Sequence, residues 1–238
     1  MNSLKFGQIS NAYKKYSNAI DYLQFDICGL SVSEASTRLR ETLFKNPNIK
    51  SIILHSDWTK KGCSENNFPS RKKDYIDIYN ELSKRIPVIG ITLHPMFRSK
   101  ISLEDFLVLV TQLEEHMDVF IENRSNSKIL ISKPNEIIDL SHIKKMTIDI
   151  PQLLISCGYS YEYFLEVLKN INWANVKEIH LANIKKDGTR TYVGRSLDDG
   201  IINIKDITPF LTNKLVTLEI LGGANIFNSN ISLIKENL

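Results

Sequence analysis

The stretch VKEIHLANIKKDG, residues 176–188, places a histidine near the end of a short apolar run that stops at an Asp-Gly pair. Short runs of β-branched and other apolar residues favour a strand over a helix. A nearly continuous apolar character is typical of a parallel strand that is covered on both faces. At position 180, histidine carries a polar cost that valine, isoleucine or leucine would avoid. The stretch therefore predicts a buried parallel strand with a functional group near its carboxyl end.

Seven further runs of this kind occur along the chain, and helical patterns lie between them. The runs are LKFGQIS (4–10), YLQFDIC (22–28), KSIILHS (50–56), PVIGITLH (87–94), DVFIEN (118–123), KMTIDI (145–150) and LVTLEI (215–220). Apolar residues recur at the spacing of a helix in segments 31–46, 74–85, 102–117 and 160–172. We expect Ser31 or Ser33 to cap the first helix and Ser102 to cap the third.

Strands that alternate with helices in a chain of this length predict an α/β protein of the (β/α)8 TIM-barrel class, with residues 1–238 forming a single domain. Two connections fit less well: segment 11–21 leaves little room for a helix, and segment 184–213 shows only a weak helical signal near IKDITPFL (204–211). Segment 56–74 reads as a long polar loop. An open doubly wound sheet is the alternative, but no glycine-rich phosphate loop follows any strand.

Composition excludes several classes of protein. Hydrophobic residues at 42% and charged residues at 24% are ordinary for a globular protein. A formal net charge of +3 is too small to argue for a nucleic-acid partner, and we do not expect one. No run approaches the roughly 20 apolar residues of a membrane span. Three cysteines without paired spacing and an N-terminus without a signal-peptide pattern predict a cytoplasmic protein. We expect a small-molecule partner and leave a homo-oligomer open.

Polar residues stand at the carboxyl ends of six consecutive predicted strands, where a TIM barrel builds its active site. They are His55, His94, Glu122, Asp149, His180 and Glu219. A buried cluster of carboxylates is costly unless a cation neutralises it. Two glutamates, one aspartate and one histidine suit one divalent ion, Mn²⁺ or Mg²⁺ first, with Zn²⁺ or Co²⁺ as alternatives. Taken singly, each residue also fits a structural role, and Asp149 before Pro151 could simply shape a turn.

Four of these strand-end residues lie in segments that resemble segments of a known protein family. VFIEN (119–123), TIDIPQLLISCG (147–158), EIHLAN (178–183) and VTLEI (216–220) resemble the metal-ligand segments of the xylose isomerase-like TIM-barrel superfamily, which includes sugar epimerases, hydroxypyruvate isomerases, inosose dehydratases and the endonuclease IV group. The resemblance implies that Glu122, Asp149, His180 and Glu219 bind one metal ion. It also implies that Glu122 and Glu219 form the acid/base pair. His55 and His94 match positions that bind substrate in the epimerases and metals in the endonucleases.

The departures from the family pattern bear on the function. Gln152 stands where the family often has a histidine, and Thr189, Arg190 and Thr191 stand where the endonucleases have an Asp-x-His. A three-metal phosphodiesterase is therefore disfavoured. Gln152 could hydrogen-bond a substrate hydroxyl, Trp58 could cover a sugar ring, and Arg190 could contact a carboxylate or phosphate.

The resemblance predicts a metal-dependent sugar or hydroxy-keto-acid isomerase or epimerase that acts through an enediolate, with a lyase left open. An endonuclease IV-like nuclease is one alternative. A non-catalytic barrel with a binding role is the other.

Overall fold

Eight parallel strands form a closed barrel within residues 4–9, 16–59 and 63–238, which the computed structural model describes. The barrel strands are β1 (Lys5–Ile9), β2 (Tyr22–Asp26), β3 (Ile52–His55), β4 (Val88–Leu93), β5 (Val119–Glu122), β6 (Met146–Asp149), β7 (Val176–Leu181) and, after the hairpin strands β8 (Asn183–Asp187) and β9 (Arg190–Arg195), β10 (Leu215–Leu218). Each predicted apolar run contains one barrel strand. The predicted (β/α)8 barrel is therefore confirmed.

Helices connect most of the strands on the outside of the barrel. They are α1 (Val32–Lys45), α2 (Phe68–Ser83), α3 (Leu103–Glu114), α4 (Pro134–Ser141), α5 (Ile150–Ser156), α6 (Tyr161–Asn170), α7 (Ile204–Ile207) and α8 (Ala224–Glu236). Between β1 and β2, residues 16–21 contain no helix, and the rest of that predicted short connection lies outside the described residues. No helix in the described part of the chain is long and apolar enough to cross a membrane.

The strand register brings the carboxyl ends of the strands to one rim. Neighbours in the barrel follow chain order, and β1 closes the ring by pairing in parallel with β10 from Lys5 opposite Leu215 to Gln8 opposite Leu218. Between β6 and β7, Asp149 pairs with His180. Polar residues that are distant in sequence therefore meet around a single opening.

Side-chain caps start the longer helices where the sequence predicts them. The Ser31 hydroxyl accepts a hydrogen bond from the Glu34 backbone N–H at 3.4 Å, and the Glu34 carboxylate accepts one from the Ser31 N–H at 2.8 Å. This reciprocal pair selects Ser31 rather than Ser33 as the cap of α1. Ser102 caps α3 by accepting from the Asp105 N–H at 3.0 Å.

The barrel interior changes from apolar to polar along its axis. Its amino-terminal end is filled by Tyr22, Ile53 and Phe120. Gly7 faces the ring of Tyr22, and a β-carbon on Gly7 would lie 2.3 Å from it, so only glycine leaves room for this tyrosine. The next layer contains Thr92, Thr147, Glu178 and Thr217, all fully buried. The candidate site rests on this polar layer.

The structure corrects two details of the sequence analysis. Segment 56–74 is not a loop throughout, because α2 begins at Phe68 with Pro69 in its first turn, where proline is well tolerated. Segment 184–213 contains an antiparallel hairpin, in which Asp187 pairs with Arg190 around a turn containing Gly188 at φ +56°. The weak helical signal near 204–211 corresponds to α7 and a 3-10 turn.

Candidate metal centre

A cavity of about 250 Å³ opens at the carboxyl rim of the barrel. Its lining includes the predicted site residues His55, Trp58, His94, Glu122, Asp149, Gln152 and Glu219. His180 is buried, and its ring reaches Glu122 and Glu219 of this lining. Arg190 lies at the exposed turn of the hairpin and is not part of the lining, whereas Val193 of the same strand is.

Glu122 lies at the centre of the cluster and is almost fully buried. Its Oε2 atom is 3.0 Å from His94 Nε2, 3.7 Å from His55 Nε2 and 3.5 Å from His180 Nδ1. Its Oε1 atom accepts a hydrogen bond from Arg124 at 2.9 Å. Burial by itself would raise the pKa of Glu122, but the facing His94 and His180 imidazoles lower it well below its usual value. Glu122 is therefore held as a carboxylate.

Asp149 is fixed at the end of β6 by hydrogen bonds from both sides. Its Oδ1 atom accepts from the Gln152 N–H at 2.8 Å, which caps α5, so the turn-shaping role considered for this residue is present. The Asn123 side chain accepts from the Asp149 N–H at 2.8 Å and donates to its carbonyl at 3.1 Å. Burial and the charges of Glu219 and Glu122 raise the pKa of Asp149 well above its usual value. Crowded carboxylates of this kind attract a cation.

His180 presents one ring nitrogen to the polar layer and the other to the cavity cluster. Its Nδ1 atom lies 3.1 Å from Glu219 Oε1 and 3.5 Å from Glu122 Oε2, yet has no hydrogen-bond partner among the described residues. Burial would lower the pKa of His180, but Glu219, Glu178 and Glu122 together raise it well above its usual value. A buried ring nitrogen among carboxylates, without a hydrogen bond, is a position where a metal ion replaces a proton.

Two groups of donor atoms overlap at Glu122. Ligand atoms of Glu122, Asp149 and His180 all lie within 4.8 Å of one another, and so do those of His55, His94 and Glu122. Glu219 joins the first group through its contact with His180. The first group, with its several carboxylates, suits a hard divalent ion, while the second, with two imidazoles, suits Zn²⁺. The residues present therefore fit a divalent ion.

Two other predicted residues lie where they could contact a substrate. The Gln152 carbonyl oxygen accepts hydrogen bonds from the backbone N–H of Ser125 at 3.1 Å and from the Ser125 hydroxyl. This orientation leaves the amide nitrogen of Gln152 for the cavity. Trp58 lies at the rim with 38% of its surface exposed. Both arrangements are compatible with a small polar ligand.

Sequence reasoning missed several residues of this site. Arg124 and Asp26 line the cavity, and Gln24 and Glu178 contact His180 from below. Glu178 stands two positions before His180 on one strand, so the two side chains must point to the same side. This two-residue spacing could have identified Glu178 from the sequence as a neighbour of His180. Arg124 also lies two positions from Glu122, but β5 ends at Glu122, so the alternation of side chains along a strand does not predict where Arg124 points.

Comparisons with known proteins bear on the fold. No family model and no curated protein matches this chain. Among solved structures, endonuclease IV from Thermus thermophilus aligns over 98% of this chain and 98% of its own, at 12% identity and a TM-score of 0.63. An IolI protein with a zinc atom aligns over 98% of this chain and 96% of its own, at 12% identity and a TM-score of 0.60.

An L-ribulose 3-epimerase aligns over 98% of this chain and 86% of its own, at 10% identity and a TM-score of 0.56. Identities this low show a shared fold. The TIM-barrel fold expected from the sequence is therefore confirmed, and the solved structures that share it include a xylose isomerase domain protein.

Proposed function

We propose that this chain is a divalent-metal-dependent isomerase or epimerase that acts on a small sugar or hydroxy-keto acid. The observation that carries the proposal is the convergence of Glu122, Asp149 and His180, with Glu219 beside them, at a cavity of about 250 Å³. Solved structures of the same fold are mostly enzymes, among them the L-ribulose 3-epimerase and a mannonate dehydratase.

Glu122, Asp149, His180 and Glu219 would hold the ion. When bound there, a divalent cation supplies a Lewis acid that stabilises negative charge developing on a substrate carbonyl. The carboxylates that repel one another in its absence are the groups that it would neutralise. This balance of charge supports the ligand set.

Glu122 and Glu219 differ in a way that suits a pair of proton carriers. Burial and the charge of Glu122 raise the pKa of Glu219, whereas the pKa of Glu122 is lowered. Glu219 is also the more accessible, with 23% of its side chain exposed against 2% for Glu122. Because Glu219 is the more accessible of the two carboxylates, we assign to it removal of the proton from the carbon beside the carbonyl.

In isomerisation, Glu219 would return the proton that it holds to the neighbouring carbon of the enediolate. In epimerisation, Glu122 would first take a proton from solvent and deliver it at the opposite face, while the proton on Glu219 passes to solvent. His55, His94 and Gln152 would hydrogen-bond substrate hydroxyls, and Trp58 would cover the sugar ring. Loss of a leaving group in place of proton return would make the chain a lyase.

Solvent exchange tests this proposal whatever the product is. The protein is incubated in D₂O with Mn²⁺ and a panel of ketopentoses, ketohexoses and hydroxypyruvate. We expect deuterium to enter the carbon beside the carbonyl of at least one compound, read by NMR. Glu219→Gln should reduce this exchange by about 10³-fold or more and lower bound metal, whereas the exposed Glu166→Gln should change neither. Unchanged metal content and exchange in Glu219→Gln would remove the proposal.

A second function is favoured by the second donor group. His55, His94 and Glu122 could hold another ion next to the first, and endonuclease IV shares the fold. A nuclease of that kind predicts two ions per chain, reduced to one by His55→Gln, and cleavage of an abasic DNA duplex. Metal analysis with a cleavage assay separates it from the isomerase, and a chain that binds no ion would instead be a non-catalytic barrel.

A further inference from the structure

Glu178 is a fully buried carboxylate that the proposed reaction does not use. Its Oε2 atom accepts hydrogen bonds from the hydroxyls of Thr92 at 2.5 Å and Thr147 at 3.1 Å, and its Oε1 atom from Thr217 at 2.6 Å. These threonines belong to three different barrel strands, so the carboxylate is anchored on the barrel axis. Burying an ionised acid is costly even after the surrounding groups relax, so a packing role alone explains it poorly.

Because it is anchored from three strands, the Glu178 carboxylate cannot swing up to the cluster of Glu122, Asp149 and Glu219. It reaches that cluster through His180, whose Nε2 atom lies 3.3 Å from Glu178 Oε2. An ionised carboxylate can only accept a hydrogen bond. The Nε2 atom of His180 must therefore carry a hydrogen.

Gln24 is a second side chain at the same ring nitrogen, and it supports the same assignment. Its side-chain amide nitrogen lies 2.5 Å from His180 Nε2, while its Oε1 atom has no hydrogen-bond partner within the described residues. Turning the amide by 180° places the oxygen against the Nε2 hydrogen and gives that oxygen a donor. With Nε2 occupied in this way, Nδ1 is the nitrogen of His180 that faces the cavity cluster and is left to bind an ion.

We propose that Glu178 is a positioning residue, which keeps the hydrogen of His180 on Nε2, orients the ring and makes Nδ1 a stronger metal ligand. A carboxylate behind a ligating histidine acts in this way in other metal proteins. The inference rests on the proposed metal site. To that site the inference adds Glu178, which would act on the metal only through His180.

Metal affinity and a proton resonance test the proposal together. In a His55→Gln background, which disables the second donor group, we expect Glu178→Gln to weaken Zn²⁺ binding, measured by chelator competition, by about 10-fold to 100-fold. In the zinc-loaded, ¹⁵N-histidine-labelled protein, the Nε2–H proton of His180, assigned with a His180→Gln variant, should move upfield. That shift reports loss of a charge-assisted hydrogen bond, which a purely structural residue would not produce.

A matched control is Glu65, which is also buried and accepts a hydrogen bond from Thr59 at 2.5 Å outside the barrel interior. Glu65→Gln should leave Zn²⁺ affinity within about twofold and the His180 proton in place. If Glu178→Gln does not fold, Thr92→Val and Thr217→Val carry the test. Each keeps the carboxylate but removes one anchor, and each should weaken Zn²⁺ binding severalfold.

The possible results separate this inference from the proposed function. Wild-type affinity and an unmoved His180 proton in Glu178→Gln, or in both threonine variants, overturn the inference alone. Weakened binding in Glu178→Gln without deuterium exchange by the wild-type protein overturns the isomerase alone. A wild-type protein that binds no ion overturns both.

Discussion

At the scale of single residues, the site is a balance of charges around Glu122. Asp149 and Glu219 repel it, while Arg124 donates to its Oε1 atom at 2.9 Å. One arginine and the histidines do not cancel these effects, because burial together with the charges of Glu219 and Glu122 holds the pKa of Asp149 well above its usual value. The cluster therefore stores an unfavourable interaction that a bound cation would relieve.

Asp149→Asn separates the metal-binding role of Asp149 from its structural role. Asparagine keeps the oxygen that caps α5 but removes a repelling charge. We expect the melting temperature in EDTA to be equal to or above that of the wild-type protein. Mn²⁺ affinity should fall by at least about 10-fold, since one ligand loses its charge. A lower melting temperature in EDTA with unchanged affinity contradicts this.

At the scale of elements, local signals decide where helices begin and how the hairpin meets the barrel. Ser31 and Glu34 satisfy each other's backbone groups at the start of α1. The hairpin contacts the segment after β10, where the Leu221 N–H donates to the Gly194 carbonyl at 2.8 Å. The first feature bears on stability alone, and the second bears on the site because that segment carries Glu219.

Ser31→Ala should destabilise the protein by about 1 kcal/mol, because the Glu34 N–H at the start of α1 loses its acceptor. Ser33→Ala is the matched control, inside the first turn of the helix, and should cost less. Urea denaturation measures both. Equal losses of unfolding free energy in the two variants would show that the Ser31 cap does not stabilise α1.

Gly194→Ala should impair the site more than Gly188→Ala does. Both glycines have a left-handed φ, +80° and +56°, so both substitutions strain the backbone. Only at Gly194 would the new β-carbon meet neighbours, 3.1 Å from Leu221 and 3.2 Å from the Glu219 carbonyl. We expect similar losses of melting temperature but a larger loss of Mn²⁺ affinity in Gly194→Ala. Equal affinities would show that the hairpin is independent of the site.

At the scale of the whole molecule, the proposed ligands come from four different parts of the barrel. Glu122, Asp149 and His180 stand on consecutive strands, and Glu219 follows the strand that pairs with β1 to close the ring. A cation at this point would link four elements that the unfolded chain holds far apart. Binding of an ion there would therefore be coupled to the stability of the barrel.

Addition of Mn²⁺ or Zn²⁺ should raise the melting temperature reversibly. At about 100 times the dissociation constant the gain is about 2.7 kcal/mol, or about 5 °C for a chain of this size. Differential scanning calorimetry with and without EDTA measures it. The combined Glu122→Gln and His180→Gln variant should show no shift, and a shift that persists there would place the ion elsewhere.

The sequence by itself determined the order and approximate positions of the barrel strands and the candidates at their ends, because both follow from local periodicity. The tertiary structure alone decided which of these candidates meet. It also showed the shared role of Glu122 in two donor groups, the partners Arg124 and Glu178, and the docking of the hairpin. Gln24 and His180 are 156 positions apart, yet their side chains touch. Such contacts depend on how β2 and β7 face each other across the closed barrel, and no local pattern encodes that distance.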